Sequence, residues 1–292
     1  MKIAIYGRLL DASNVKFIQD LFDELSERKI DFTIYDKFLP HLRNRINFKK
    51  DIHSFKTHTE IREDTDYLFS LGGDGTLLDT LSLIRDSNIP VMGINIGRLG
   101  FLSSVGKEEI KEAINSLERG TYVVDQRDLI HLDSSKPLFE DVNYALNEFT
   151  IHKKDTSSMI IIHTYINGDY LNSYWADGLI VATPTGSTAY SLSCGGPVIF
   201  PTAKNFVITP VAPHHLNVRP IIVPDNCVIS FEMEGRSDNF LCTLDSRMRT
   251  IDASYQLAIK KEKFTLNLIR LQEKNFLSTL RNKLLWGFDK RN

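Results

Sequence analysis

Two short stretches concentrate the residue types that can do chemistry. The first is Gly72-Gly73-Asp74-Gly75-Thr76, which lies between the apolar run Tyr67–Leu71 and a segment with Leu77, Leu78, Leu81 and Ile84 at helical spacing. Glycines allow positive φ and carry no Cβ, so a ligand can come close to the backbone. Thr76 is expected to cap the next helix, whose first N–H groups would face the same ligand and suit a phosphate. Asp74 is the only ionisable group in the turn. It could take a proton from a hydroxyl nucleophile or help hold a metal ion. The alternative is a tight turn in which Asp74 bonds only its own backbone. Placement after a buried strand, where open α/β sheets bind ligands, favours the functional reading.

The second stretch runs from Asp177 through Thr183-Pro184-Thr185-Gly186-Ser187-Thr188-Ala189-Tyr190-Ser191. Its hydroxyls are donors on a stiffened backbone, Ala189 and Tyr190 could flank a planar ring, and Asp177 could accept from sugar hydroxyls or an amide. A Ser/Thr-rich surface loop is the competing reading. Asn147-Glu148 sits inside a strand-like run, where a carboxylate usually just faces solvent. His214-His215 are adjacent, so on a strand their rings point to opposite faces and cannot share a metal. Cys194 has no His nearby in sequence, which argues against a thiol nucleophile. Lys260-Lys261-Glu262-Lys263 reads as a solvated turn. Neither a Gly-Lys-Ser/Thr phosphate loop nor a Gly-x-Gly-x-x-Gly after the first strand is present, so a nucleotide would need another construction.

These stretches need elements to position them. Up to about residue 125, short apolar runs alternate with helix-spaced segments: Ile3–Tyr6, then Phe17, Ile18, Leu21, Phe22 and Leu25, then Phe32–Tyr35, Tyr67–Leu71 and Val91–Ile96. That alternation predicts a parallel α/β domain. Residues 37 to 65 lack a period and read as a mobile connection with a short helix. Ile110, Ile114 and Leu117 predict a helix stopping near Gly120. After Asp125 the pattern becomes short strands with turns such as Asn167-Gly168-Asp169, which predicts an antiparallel β domain. Phe276–Leu285 reads as a helix with Gly287 as its stop, packing back on the first domain. The expected division is 1–125 with 271–292, and 126–270.

Composition limits the partners. The chain has 292 residues, 35 Lys+Arg against 37 Asp+Glu, 42% hydrophobic and 25% charged residues, as in an ordinary globular protein of about two domains. A net charge of -2 gives no reason to expect a nucleic-acid partner. Three scattered cysteines do not make a disulfide framework or a zinc site. No apolar run is long enough to cross a bilayer and the first strand is too short for a signal peptide, so a cytoplasmic protein without a membrane partner is expected.

Taken together, the segments resemble the NAD kinase family, which makes NADP from NAD with ATP or another phosphoryl donor. The resemblance rests on Gly72-Gly73-Asp74-Gly75-Thr76, Asn147-Glu148, and Asp177-Gly178 leading into Thr183 to Ser191. Gly97-Arg98-Leu99-Gly100-Phe101-Leu102 and Pro213 to Pro220 also look like family segments. The glycine core alone is shared with lipid kinases and phosphofructokinases; the Thr-Pro-Thr-Gly-Ser-Thr-Ala-Tyr run is far more specific. The resemblance implies a Rossmann-like α/β domain plus an antiparallel β-sandwich domain, with NAD in the cleft between them. It implies Asp74 as the base for the 2′-hydroxyl of the adenosine ribose, with Gly72, Gly73 and Gly75 approaching the nucleotides. Asn147 and Glu148 would bind ribose hydroxyls or the adenine edge, and Asp177 the nicotinamide side or a second nucleotide. Thr188, Ala189, Tyr190, Ser191, Leu192 and Ser193 would line the adenine and ribose pocket.

Magnesium or another divalent cation would meet the phosphates, ATP would be the donor, and a homodimer or homotetramer is expected. Without a phosphate-loop lysine, Arg98, Arg219 or Arg247 could share the charge neutralisation. Trp175, Asp79 and Arg247 depart from the family's pattern, where Arg, a basic residue and Gln are frequent. They leave donor choice and NAD against NADH choice open. Two other readings stand beside this one. A lipid or sugar kinase using the same glycine turn would leave the Thr-Pro-Thr run unexplained, and a nucleotide-sensing module without catalysis would retain Asp74 for binding only.

Overall fold

The computed structural model describes residues 1–61, 64–97, 100–154, 158–236 and 239–286. They form two compact units, one made of residues 1–126 with the stretch from 266 onward, the other of residues 127–265. Arg98, Leu99 and Gly287 lie outside the described residues.

The first unit opens with β1 (Lys2–Gly7), and α1 (Val15–Glu27) buries Phe17, Ile18, Leu21, Phe22 and Leu25 along one stripe. Then come β2 (Asp31–Tyr35), α2 (Leu39–Arg43), β3 (His53–Phe55) and α3 (His58–Ile61). The stretch read as a mobile connection therefore holds two one-turn helices and a strand. β3 pairs parallel with β2, and Phe38, Leu42 and Phe55 are buried. Elements of three to five residues are too short to show a period. β4 (Tyr67–Leu71), α4 (Asp74–Asp79), α5 (Leu81–Ile84), β5 (Val91–Ile94) and α6 (Ile110–Arg119) complete the run. The helix expected after the glycine turn is split at Thr80, whose hydroxyl donates to the Leu77 carbonyl at 2.6 Å. α6 stops at Gly120 with φ 65°, as its spacing predicts.

β1 pairs in parallel with β2 on one side and β4 on the other, and β4 pairs with β5. The chain builds outward from β1 to β2 and β3, then returns to build β4 and β5 on the opposite side. The order therefore reverses between β1 and β4. Loops leaving the carboxyl ends of those two strands diverge there, which opens a crevice suited to a ligand. One of these loops starts at Gly7-Arg8; the other is Gly72 to Thr76.

The second unit is antiparallel. β6 (Tyr122–Ser134) leads into it, followed by β7 (Tyr144–Ala145), β8 (Glu148–Lys153), β9 (Ile160–Ile166), β10 (Asp169–Ala176) and β11 (Gly178–Ala182). After α7 (Tyr190–Ser193) come β12 (Asn205–Val211), β13 (Ile221–Pro224), β14 (Ile229–Glu234), β15 (Asn239–Leu244) and β16 (Arg247–Asp252). The hairpin joining β9 and β10 turns at Asn167 and Gly168 with φ 52° and 89°, as Asn-Gly predicts. One sheet has the order β13-β12-β11-β8-β15-β16. Its inner face meets that of β9 and β14, with Phe149 stacked on Phe231 at 5.5 Å, so the unit is a sandwich.

β17 (Leu257–Leu271) is one long strand. Lys260-Lys261-Glu262-Lys263 is not a turn but lies inside it. Lys261 pairs with Asp225 at 2.6 Å and Asp128 at 3.0 Å, Glu262 meets His131 at 2.6 Å, and Lys260 meets Asp133. Cross-strand pairing lets a charged tetrapeptide continue the ladder. The second half of β17 belongs to the first unit, where Leu268 is in parallel register with Val91. α8 (Phe276–Leu284) follows, capped by Asn275, with Phe276 against Phe101 at 6.4 Å. The last helix thus returns to the first unit. No helix among the described residues is long and apolar enough to cross a membrane.

Candidate functional site

The site residues fall into two groups, one in each unit. In the first, β4 ends in buried Leu68 to Leu71, and the Gly72 N–H continues the ladder to the Ile94 carbonyl at 3.0 Å. A Cβ at Gly72 would overlap the Thr76 side chain, which folds back over the turn. Thr76 therefore does not cap the helix. Gly73 is the cap residue and Thr76 stands inside α4, because the helix begins at Asp74, three residues earlier than a Thr76 cap would set it. Gly73 has open space where a side chain would be, and at Gly75 the nearest atom is Arg8 Nη1, 3.9 Å away. Both present bare backbone to a ligand.

The Asp74 carboxylate does not bond its own turn. Oδ2 accepts from Phe101 N–H at 2.7 Å, and Oδ1 accepts from Leu102 N–H at 3.1 Å and Ser103 N–H at 2.9 Å. A carboxylate offers about four acceptor sites. Three are taken among the described residues, and the one remaining is on Oδ2. Gly100 must be glycine, since a Cβ there would overlap the Asp74 carboxylate. At the far end of α4, Asp79 is gripped by Arg8. Nε donates to Oδ2 at 2.5 Å, Nη2 donates to Oδ1 at 2.7 Å, and the Tyr6 hydroxyl donates to Oδ2 at 2.9 Å. Burial and the neighbouring Asp79 push the Tyr6 hydroxyl well above its ordinary range.

In the second unit Asp245 repeats the arrangement. It sits at φ 51° in the two-residue turn from β15 to β16. Its carboxylate accepts from Leu146, Asn147 and Glu148 N–H at 2.9, 2.8 and 3.2 Å. That fixes the entry to β8. The Asn147 carbonyl receives Thr183 N–H at 2.9 Å, and Gly186 packs on it so closely that a Cβ would overlap it. Asn147, Glu148 and the Thr183 to Ser193 segment are thus brought together.

Glu148 is half-buried beside Asp245, and its Oε2 has no hydrogen-bond partner among the described residues. Burial first, then the like charge of Asp245, push its carboxyl up to about 8 against a backbone bond from Tyr190. At neutral pH it is mostly the acid, able to donate as well as accept.

Most hydroxyls of the second stretch hold the loop. Thr183 bonds Leu146 O at 2.5 Å, Ser187 bonds Pro184 O at 2.7 Å, and Ser191 bonds Thr209 at 2.8 Å. Thr188 is half-buried and donates to Thr185 O at 3.1 Å, Ala189 and Leu192 are half-buried, and Ser193 is exposed. Tyr190 is 40% exposed, with the His152 ring 5.6 Å away. Asp177 is paired with Lys153 at 2.6 Å.

Arg247 donates to the Val142 and Tyr144 carbonyls and lies over the Phe139 ring at 6.0 Å. Arg219 donates to the Leu216 and Val218 carbonyls at 2.6 and 2.8 Å. Trp175 faces His214 at 5.0 Å. Sequence reasoning missed Arg8, the Asp245 clamp and Lys153. A cation directly after the first strand was the one available signal, for Arg8. Among the described residues no three His, Cys, Asp or Glu side chains gather as metal ligands. With Asp74 on amides and Asp79 on Arg8, the turn does not fit a resident metal.

Residues 3–122 match the model of the ATP-NAD kinase N-terminal domain, and residues 146–271 that of the ATP-NAD kinase C-terminal domain. The chain belongs to the NAD kinase family. It is 48% identical to the NAD kinase of Cytophaga hutchinsonii and 46% identical to that of Flavobacterium psychrophilum, each covering 100% of both chains. The family fold is also that of yeast NADH kinase complexed with NADH, with a TM-score of 0.86 at 22% identity, covering 99% of this chain and 88% of that one. An Archaeoglobus fulgidus NAD kinase in complex with ATP gives 0.74 at 24%, covering 98% and 99%. Within this NAD kinase family fold, the Gly72 to Thr76 turn lies in the N-terminal match and Asn147 to Ser193 in the C-terminal one.

Two outcomes follow for the clamps and for Glu148. Gly100→Ala forces the Asp74 carboxylate off its amides, so activity falls about a hundredfold or more while the melting temperature drops by only a few degrees. Wild-type activity in that variant would mean that Asp74 needs no such seat. For Glu148 the carboxyl is raised on folding, so the stability it contributes is full below about pH 4.5. It is lost as pH rises toward the folded value of about 8. Denaturant titrations of Glu148→Gln should match wild type near pH 4.5 and exceed it by roughly 2 kcal/mol at pH 8. A difference independent of pH would remove the burial argument.

Proposed function

We propose that this protein transfers the γ-phosphoryl group of ATP to the 2′-hydroxyl of the adenosine ribose of NAD, giving NADP and ADP, with Asp74 as general base. Membership of the NAD kinase family supports the reaction, and the seat of Asp74 supports its role. Three amides hold the carboxylate in one orientation, and the single acceptor site left on Oδ2 among the described residues is the observation that carries the assignment.

Phosphoryl transfer asks a protein for positioning and charge stabilisation more than for covalent chemistry. NAD is held by the second unit. Asn147 and the neutral Glu148 acid engage the ribose hydroxyls or adenine edge, the Tyr190 ring and the Thr188 to Ser193 segment receive the base, and Asp177 with Lys153 bonds a further polar group. The ribose 2′-hydroxyl donates to Asp74 Oδ2. As its oxygen forms a bond to the γ-phosphorus, the bond from that phosphorus to the β-γ bridging oxygen breaks. ADP leaves with the electron pair, and the proton passes to Asp74 and then to solvent. The backbone at Gly73 and Gly75 lets the donor phosphates approach closely.

Asp74→Asn keeps the size of the side chain and removes the base. Its kcat for NADP formation should fall about a thousandfold or more, with NAD affinity by equilibrium binding within about threefold of wild type. Retention of more than about a tenth of wild-type kcat would exclude Asp74 as the base. Tight NAD binding by wild type with no turnover on any nucleoside triphosphate would point to the nucleotide-sensing reading.

A further inference from the structure

We infer that Arg8 is a donor-binding residue, presenting the unused edge of its guanidinium to the phosphates of the nucleoside triphosphate at the glycine turn, with Asp79 as its positioning residue. This rests on the phosphotransferase reading above and adds a specificity determinant to it. A guanidinium has five N–H donors. In Arg8 the Nε N–H goes to Asp79 Oδ2, and the Nη2 pair goes to Asp79 Oδ1 at 2.7 Å and to the Gly75 carbonyl at 3.1 Å. Both N–H groups of Nη1 make no hydrogen bond among the described residues. That nitrogen is the nearest atom to the open side of Gly75. Bonds on one edge hold the fork in a single orientation, which leaves the other edge preorganised.

The location points the same way. Arg8 leaves the carboxyl end of β1 and Gly75 follows the carboxyl end of β4, the two strands between which the sheet order reverses. The Arg8 side chain is 50% exposed, so a ligand can reach it. Asp79 alone would set a negative charge near an anionic donor. Paired bidentately with Arg8 and held by Tyr6, it becomes a lever that aims a cation instead. Of the other arginines that could share the charge, Arg219 spends donors on its own loop and Arg247 on the carbonyls before β8, and Arg98 lies outside the described residues. Arg8 thus meets the need for a cation in a chain with no phosphate-loop lysine.

The test uses the full-length enzyme, with NADP formation followed while ATP and NAD are varied separately. Arg8→Ala should raise KM for ATP about tenfold to a hundredfold and leave KM for NAD within about twofold. Arg8→Lys keeps the charge without the fork and should recover part of that loss. Asp79→Asn frees the guanidinium and should raise KM for ATP by a smaller factor. In Arg8→Ala with Asp79→Asn, KM for ATP should stay at least about fivefold above wild type, since the contact is still missing. Full restoration in the double variant, or an unchanged KM for ATP in Arg8→Ala, would reduce the pair to charge neutralisation or a structural staple and overturn the inference. If Arg8→Ala does not fold, wild-type KM for ATP in Arg8→Lys does the same. If wild type forms no NADP, the kinase reading itself fails. Calorimetric titration of ATP into wild type and Arg8→Lys then decides on Arg8 independently.

Discussion

A carboxylate seated on three consecutive backbone amides occurs in both units, and each time it fixes the residues on which the chemistry depends. Asp74 holds Phe101, Leu102 and Ser103; Asp245 holds Leu146, Asn147 and Glu148. Converging N–H dipoles make a small anion seat out of loop backbone, which would otherwise have unpaired donors. The seat works in both directions. It orders a loop that has no regular ladder, and it fixes the orientation of the carboxylate to within a hydrogen bond. In the first unit the acid itself is the candidate base. In the second the acid is a support, and its charge helps keep the neighbouring Glu148 protonated.

The glycines serve the same constraint. Gly100 leaves room for the Asp74 carboxylate and Gly186 for the Asn147 carbonyl, whereas Gly73 and Gly75 leave room for a ligand. A net charge of -2 on a chain that binds nucleotides is consistent with this. Anionic groups are met by backbone N–H groups and by a few cations aimed by their own carboxylates, not by a basic surface.

Much of this was legible in the sequence. The alternation through Val91–Ile96 and the switch to short strands after it predicted the fold class, because buried parallel strands and hairpins leave distinct patterns. β16 leaves no clear alternation because only Ile251 of its six residues is buried. The continuity of β17 was hidden by four charged residues, three of which find their partners, Asp225, Asp128, His131 and Asp133, far away in sequence. The Gly72 to Thr76 turn and the Thr183 to Ser191 segment stood out by residue type. Their internal roles did not, since most of those hydroxyls turn inward to bond carbonyls. For Arg8 the sequence offered only a cation directly after the first strand, because its meaning comes from Asp79, 71 residues on, and the parallel pairing of β1 with β4 brings them together.

The seat of Asp74 can be observed without turnover, by amide hydrogen exchange at Phe101, Leu102 and Ser103 in wild type and in Asp74→Asn. A carboxylate that holds these three N–H groups should make them exchange slowly in a loop with no other ladder, and the substitution should speed all three about tenfold or more while β4 and β5 stay protected. Equal exchange in the two proteins would mean that the carboxylate does not occupy this seat, and the account of how the base is positioned would be wrong.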